Sequence, residues 1–329
     1  MRGSNASPTA FGWDYQVNAA IVLMLHHIKQ AVNLRVEGKK EDIEITLCDG
    51  SKIYSQVKSV TKYDDYRNVV AYLKKALGTL NQASKDDSIH NLIYVTNSPN
   101  PFNNGNESIA YFMDLTILNY EELASKDQER IKGLIQSNGF NELELKKLKI
   151  VRIPFIGEDI INRYKCIKKY INDFLSSLNI GNVNISGRLM TVWQADCFHN
   201  ASTVNTSVVM TKERFVWPII SVLLEFTSTC NYYNDLNNDE IEDIENKYKS
   251  YIDYQAMRYQ LVASIIADYR RNNVSSIDYI NCNWQKYSFI ADDYPELEEY
   301  LRERLIKVVL QRIIKDYRVI TDVKAGVNL

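Results

Sequence analysis

Asp42, Gln56 and Lys58 are a carboxylate, an amide and an ammonium set at alternate positions of two neighbouring, strand-like stretches. A sheet face seldom gathers such groups without a charged ligand, because each unpaired charge costs several kcal/mol to desolvate. One carboxylate plus a second hard oxygen suits Mg2+ or Mn2+, which keep waters and take further oxygens from a substrate phosphate. An ammonium beside them can orient an attacking water and stabilise the charge of a pentacovalent phosphorus. The chemistry these residue types fit is therefore phosphodiester hydrolysis. Asp42 is the metal ligand in this scheme, Lys58 the catalytic lysine, and the second oxygen comes from the Gln56 side chain or the Val57 backbone carbonyl. Glu37, ending the preceding strand, adds an accessory carboxylate, and Glu44 replaces Asp42 if the pairing moves by two residues. The same residues would also make a solvated face held by cross-strand ion pairs.

The site depends on strand register. A two-residue Asp49-Gly50 loop would set Asp42 against Val57 and Ile43 against Gln56, mixing apolar and charged side chains on both faces. A three-residue loop, Cys48 to Gly50 with Gly50 left-handed, sets Asp42 against Gln56 and Glu44 against Tyr54, with Lys58 on the same face. Ile43, Ile45 and Leu47 then share the other face with Ile53 and Val57. Since a one-residue slip exchanges the faces, patterning selects the second register.

Around this hairpin the periodicity predicts a helix from Pro8 or Asp14 to Gln30, buried on one face, and strands at Val32–Val36, Asp42–Leu47 and Ser51–Ser59. A helix over Asp65–Leu80, a buried strand at His90–Thr96, a helix from Asn119 to Ile135 and a strand at Lys149–Pro154 follow. The expected fold is α/β, a mixed sheet flanked by helices over residues 8–155. A junction at Ile156-Gly157 opens a mostly helical domain, 156–329, with helices at Ile160–Leu178, Glu213–Thr227, Asp239–Arg271 and Glu296–Tyr317. Gly181 to Asn200 reads as a hairpin.

The 329 residues allow two domains, and 45% hydrophobic with 24% charged residues excludes a disordered or fibrous chain. A net charge of −2 advertises no nucleic-acid affinity by itself. Five scattered cysteines without a CxxC pair point to reduced cytosolic thiols, and Cys197 with His199 lacks the further ligands of a zinc site. The apolar run from Val17 to Leu25 is too short to cross a bilayer and lacks the flanks of a signal peptide, so no membrane association is expected.

Gly12, Tyr15 and Gln16 opening the first helix, then Glu37, Glu41-Asp42-Ile43, Gln56-Val57-Lys58 and Tyr94-Val95-Thr96-Asn97, occur in an order that resembles the double-stranded DNA endonuclease domain of the Cap4 effectors. That is a branch of the restriction-endonuclease-like PD-(D/E)xK superfamily, in which Gln stands where many members have Glu, and it implies a restriction-endonuclease-like fold for the mixed sheet. The resemblance implies Asp42 as metal ligand, Gln56 as the middle member, Lys58 as catalytic lysine, Glu37 as an accessory acid, and Gln16 with Tyr15 as contacts near the site. Lys39 and Lys40 are candidate contacts to the DNA backbone. The family's cyclic-oligonucleotide signalling members carry a large sensor domain after the nuclease. The helical remainder here looks more like the effector subunit of a Lamassu-type defence complex, which docks on SMC-like and accessory subunits and cuts as a homo-oligomer. The implied protein is a cytoplasmic, Mg2+-dependent endodeoxyribonuclease of anti-phage defence. A catalytically silent adaptor, a nuclease of another defence operon and an RNA-cleaving enzyme are the alternatives.

Overall fold

The computed structural model describes residues 7–62, 64–104, 110–155, 160–178, 184–227 and 238–329. Seven strands form one mixed sheet. They are β1 (Ala31–Val36), β2 (Ile43–Leu47), β3 (Lys52–Lys58), β4 (Ile89–Thr96), β5 (Thr116–Asn119), β6 (Leu148–Arg152) and β7 (Met210–Thr211), in the order β5-β6-β4-β3-β2-β1-β7. β3, β4 and β6 run parallel, and the remaining pairs are antiparallel.

The central hairpin has the register that patterning selects. Ile43 faces Ser55, Glu44 faces Tyr54 and Ile45 faces Ile53. Its loop closes through Leu47 N–H to Ser51 O at 2.8 Å, and Gly50 has φ +83°, a left-handed conformation that only glycine adopts without cost. Asp49 braces the turn by accepting from the Ser51 amide and hydroxyl at 2.9 and 2.6 Å.

One sheet face is covered by α2 (Val69–Ala83) and α3 (Ser125–Asn138). Leu73, Leu77, Leu80 and Ile131 pack there against Tyr54, Leu92, Tyr94, Leu148 and Ile150. On the other face lies α1 (Ser7–His27), and every residue from Tyr15 to Leu25 is buried. The sequence predicts burial on one side only. After the short turn α4 (Ile160–Arg163), the helices α5 (Lys165–Ser177) and α6 (Ser186–Ser202) pack on α1 from outside, which explains why its apolar residues run all round.

Compactness divides the chain into Met1–Pro218 with Gly326–Leu329, and Ile219–Ala325. The first unit continues beyond the Ile156-Gly157 junction, a pair that itself lies outside the described residues. Helices α5 and α6 and strand β7 are the added parts, fastened by Trp193, which stacks on Phe215 and donates its indole N–H to the Phe215 carbonyl at 2.8 Å. The second unit is helical. Ile244, Leu261, Ile265, Tyr279, Leu305, Val309 and Ile313 lie in its core.

Several boundaries differ from expectation for local reasons. The hairpin expected within Gly181 to Asn200 is α6 from Ser186 onward, because Leu189, Trp193 and Cys197 recur at i, i+4 and are buried together, while 181–183 lie outside the described residues. Asn119 opens a single 3-10 turn, Tyr120–Glu122, and donates its backbone N–H to Glu122 at 2.6 Å. α3 starts afresh after extended Leu123, whose side chain is buried in the core. The long helix expected over Asp239–Arg271 breaks at Arg258, whose backbone is extended. Strands β5 and β7 are too short to show a period. Among the described residues, no helix is long and apolar enough to cross a membrane.

Asp86, following α2, ties the open end of the hairpin to the sheet. It accepts from Tyr54 Oη at 2.6 Å, Lys40 Nζ at 2.8 Å and the Ser88 hydroxyl at 2.7 Å. Lys40, Tyr54 and Ser88 hold its carboxyl well below the usual carboxylate range. A depressed folded-state pKa gives stability that is present above the ordinary value of 3.8 and lost as pH falls through and below it. Asp86→Asn therefore costs about 1.5–3 kcal/mol at neutral pH. In urea titrations the gap from wild type narrows below about pH 4.

Candidate active site

The site forms where β2 begins and β3 ends. Tyr54, Gln56 and Lys58 point to the face covered by α2, since alternate residues of a strand share a face and Tyr54 packs against Leu73 and Leu77. The chain reaches β2 through a tight turn in which Glu37 N–H donates to Asp42 O at 2.8 Å and Gly38 N–H to Glu41 O at 3.0 Å. Glu37 has φ +54°, a left-handed conformation that costs a non-glycine residue roughly 1–2 kcal/mol. The Glu44 carboxylate steadies this turn by accepting from the amides of Lys40 and Glu41 at 2.7 and 3.3 Å. Glu44 is thereby occupied. A Cβ on Gly38 would lie 2.3 Å from that carboxyl carbon, so a larger residue would displace the Glu44 carboxylate from these amides.

The arrangement joins Asp42, Gln56, Val57 and Lys58 through one oxygen. Asp42 Oδ2 accepts from Gln56 Nε2 and from the Val57 amide at 2.8 Å, with Lys58 Nζ 3.6 Å away. The Asp42 and Lys58 side chains are 23% and 27% exposed, open enough for a ligand to reach them. Gln56 is buried, and its Oε1 accepts from Thr79 Oγ1 of α2 at 2.6 Å. The Thr79 hydroxyl also lies 3.0 Å from the Ala76 carbonyl. With one proton to give, it can donate to Gln56 or, giving that proton to Ala76, accept from the Gln56 amide. The second arrangement turns the amide oxygen toward Asp42, the orientation a shared cation requires.

Gln16 reaches the same corner from α1. Its Nε2 donates to Glu37 Oε1 at 2.8 Å and to the Asp42 carbonyl at 3.2 Å, joining the accessory carboxylate to the strand that carries Asp42. Tyr15 has no exposed surface and packs on Phe155, the position of a core residue and not of a substrate contact. Lys40 Nζ is committed to Asp86 and lies over the Tyr54 ring, whereas Lys39 is exposed on the turn. Asn97 is a clamp: it exchanges hydrogen bonds with Val60 and donates to the Phe155 carbonyl at 2.9 Å, tying together the segments that follow β3 and β6.

Glu41 is the residue that the sequence leaves without a role. Strict alternation would turn it away from Asp42, toward the face of Ile43 and Ile45. Regular strand structure begins only at Ile43, and the bend before it frees Glu41 from that rule. Glu41 is 4% exposed, and neither carboxylate oxygen has a hydrogen-bond partner among the described residues. Burial pushes its pKa up to about 8, with neighbouring Asp42 adding to the rise and Lys58 and Thr79 opposing it. Thr79 was also unassigned in sequence. A threonine within an otherwise apolar helix face is the signal that could have marked it.

The donor set fits Mg2+ or Mn2+. Asp42 offers a carboxylate, Gln56 an amide oxygen and Glu41 an unsatisfied buried carboxylate, all hard oxygens, with Lys58 adjacent. No group of three His, Cys, Asp or Glu side chains converges among the described residues, which leaves coordination to be completed by amide or backbone oxygens, water and phosphate. Cys197 is buried within α6, and burial pushes its thiol pKa up.

Comparison with family models and with curated proteins gives no match. Among solved structures the chain is similar to the Moraxella osloensis Cap4 SAVED/CARF-domain containing receptor, at 15% identity and a TM-score of 0.41. The alignment covers 85% of this chain and 60% of that one, so the chain spans less than two thirds of the receptor's length. At this level the likeness assigns neither a family nor an activity.

Proposed function

We propose that the chain is a metal-dependent endonuclease acting on double-stranded DNA, an effector of prokaryotic anti-phage defence. The observation that carries this reading is the convergence of Asp42, Gln56 and Lys58 at one oxygen on a partly open sheet face. Two costs beside it support a site over a scaffold: the left-handed Glu37 and the unpaired Glu41 carboxylate. Strain and unsatisfied charge in an otherwise consistent fold are expected where function requires them.

Asp42 with the Gln56 amide oxygen, or the Val57 carbonyl in its place, would hold Mg2+ or Mn2+. When bound, the cation supplies Lewis-acid polarisation of a phosphate and a more acidic water. Lys58 holds its ammonium where charge develops on the phosphoryl oxygens and positions the attacking water. Gln16 and Glu37 fix the turn that delivers Asp42, and Lys39 contributes charge to the approach of the DNA backbone.

Cutting is gated, in this reading, through the helical unit and through assembly of several copies with SMC-like and accessory subunits in the cytoplasm. A net charge of −2 supports gating, because a single copy gains little counterion-release affinity for DNA. Size-fractionated wild-type protein tests this directly. Oligomeric fractions cut linear duplex DNA in Mg2+ faster per protomer than monomeric ones, and equal rates would remove the gating step.

A further inference from the structure

We propose that Glu41 is the second carboxylate of the divalent-cation site, facing the same ion as Asp42. The proposal rests on the metal-dependent reading above and adds to it a ligand that the sequence pattern places on the wrong face.

Glu41 is almost completely buried, and among the described residues nothing donates to either of its oxygens. The Thr79 hydroxyl, close enough to oppose the rise in the Glu41 pKa, has a single proton, claimed by Gln56 or Ala76. Leaving a carboxylate in this state costs several kcal/mol unless another positive group completes it. Lys58 is near, yet its ammonium lies against Asp42 Oδ2. Asp42 shows the complementary deficit. Its contacts to Gln56, Val57 and Lys58 all fall on Oδ2, which leaves Oδ1 available. Two neighbouring carboxylates with unfilled oxygens repel each other, and a hard divalent cation is the ligand class that satisfies both. Thr79, hydrogen-bonded to Gln56 and neighbouring Glu41, lies beside both the amide and the acid.

The test is calorimetric titration of the metal-stripped full chain with Mn2+, paired with melting temperatures in chelator. Glu41→Gln is expected to weaken Mn2+ binding by roughly tenfold or more, the scale on which even the outer partners of metal sites act. The same variant melts in chelator at or above the wild-type temperature, since a buried acid without hydrogen-bond partners is replaced by a group that never ionises. Glu41→Met, similar in volume, gives the same loss of binding and guards against an effect peculiar to the amide. Wild-type affinity in both variants, beside lost binding in Asp42→Asn, overturns the assignment of Glu41 and leaves the metal site standing. Absence of saturable binding by the wild-type chain overturns both.

Discussion

A Lys58→Ala chain is expected to lose Mg2+-dependent DNA cleavage by roughly 10²–10³-fold while keeping its fold, the range for removing one preorganised electrostatic group. Lys58 is the last residue of β3, opposite Thr96 in the parallel ladder, and its ammonium stands 3.6 Å from Asp42 Oδ2. Its side chain is partly exposed and packs no core, so truncation removes charge without opening a cavity. The ion pair with Asp42 is also partly exposed, and such pairs contribute at most about 1 kcal/mol to stability. Initial cleavage rates, with circular dichroism and melting curves as controls, separate the two effects. Lys58→Arg is not expected to restore the rate, because a planar guanidinium cannot occupy the place of a compact ammonium. In cells, phage protection unchanged by Lys58→Ala would favour a silent adaptor instead.

Arg35→Ala carries the largest expected loss of stability, about 3–5 kcal/mol. Arg35 is buried in β1, and its guanidinium donates to the carbonyls of Asn200, Thr203 and Val208 at 2.7, 2.8 and 2.9 Å. A fourth bond reaches the Glu37 carbonyl at 3.2 Å. One planar fork thus fastens the end of α6 and the segment leading into β7 to the strand that ends at the site. Asn200 completes the join by accepting from the Val36 amide at 2.9 Å and donating to the Val208 carbonyl at 3.0 Å. Removing the fork leaves buried carbonyls without donors and opens a cavity at once. Arg35→Lys recovers only part of the loss, since one ammonium cannot span these acceptors. Urea denaturation and thermal melting read the change, expected at roughly 2–4 °C for each kcal/mol in a unit of this size. A loss below about 1 kcal/mol, within the range of ordinary surface substitutions, would show that the helical layer holds the sheet without Arg35.

How much of this was legible in the sequence followed from period and loop chemistry. The apolar alternation of Ile43, Ile45, Leu47, Ile53 and Val57 admits one register, and Gly50 permits the turn that register requires. Asp42, Gln56 and Lys58 are brought together for that reason. Glu41 escaped because alternation holds only inside a strand, and the chain bends just before β2. The extent of the first unit escaped too. The end of α6 and the segment leading into β7 are held by Arg35 and Asn200 through hydrogen bonds to β1 that span more than 160 residues of sequence. Local patterning cannot see contacts at that separation. Tyr15 illustrates the opposite error, in which a residue type suited to nucleic acid is consumed by a core contact.

The central claim is that the Asp42 cluster is a metal-dependent phosphodiesterase centre. Its most direct test follows linear duplex DNA incubated with a concentration series of the wild-type and Asp42→Asn full-length chains, in Mg2+ or in chelator, with duplex RNA as a parallel substrate. The predicted result is DNA fragmentation by the wild-type chain in Mg2+ alone, rising steeply with protein concentration, with RNA spared and Asp42→Asn inert although folded. Cutting that survives chelator or Asp42→Asn, or intact DNA at every wild-type concentration, would contradict it.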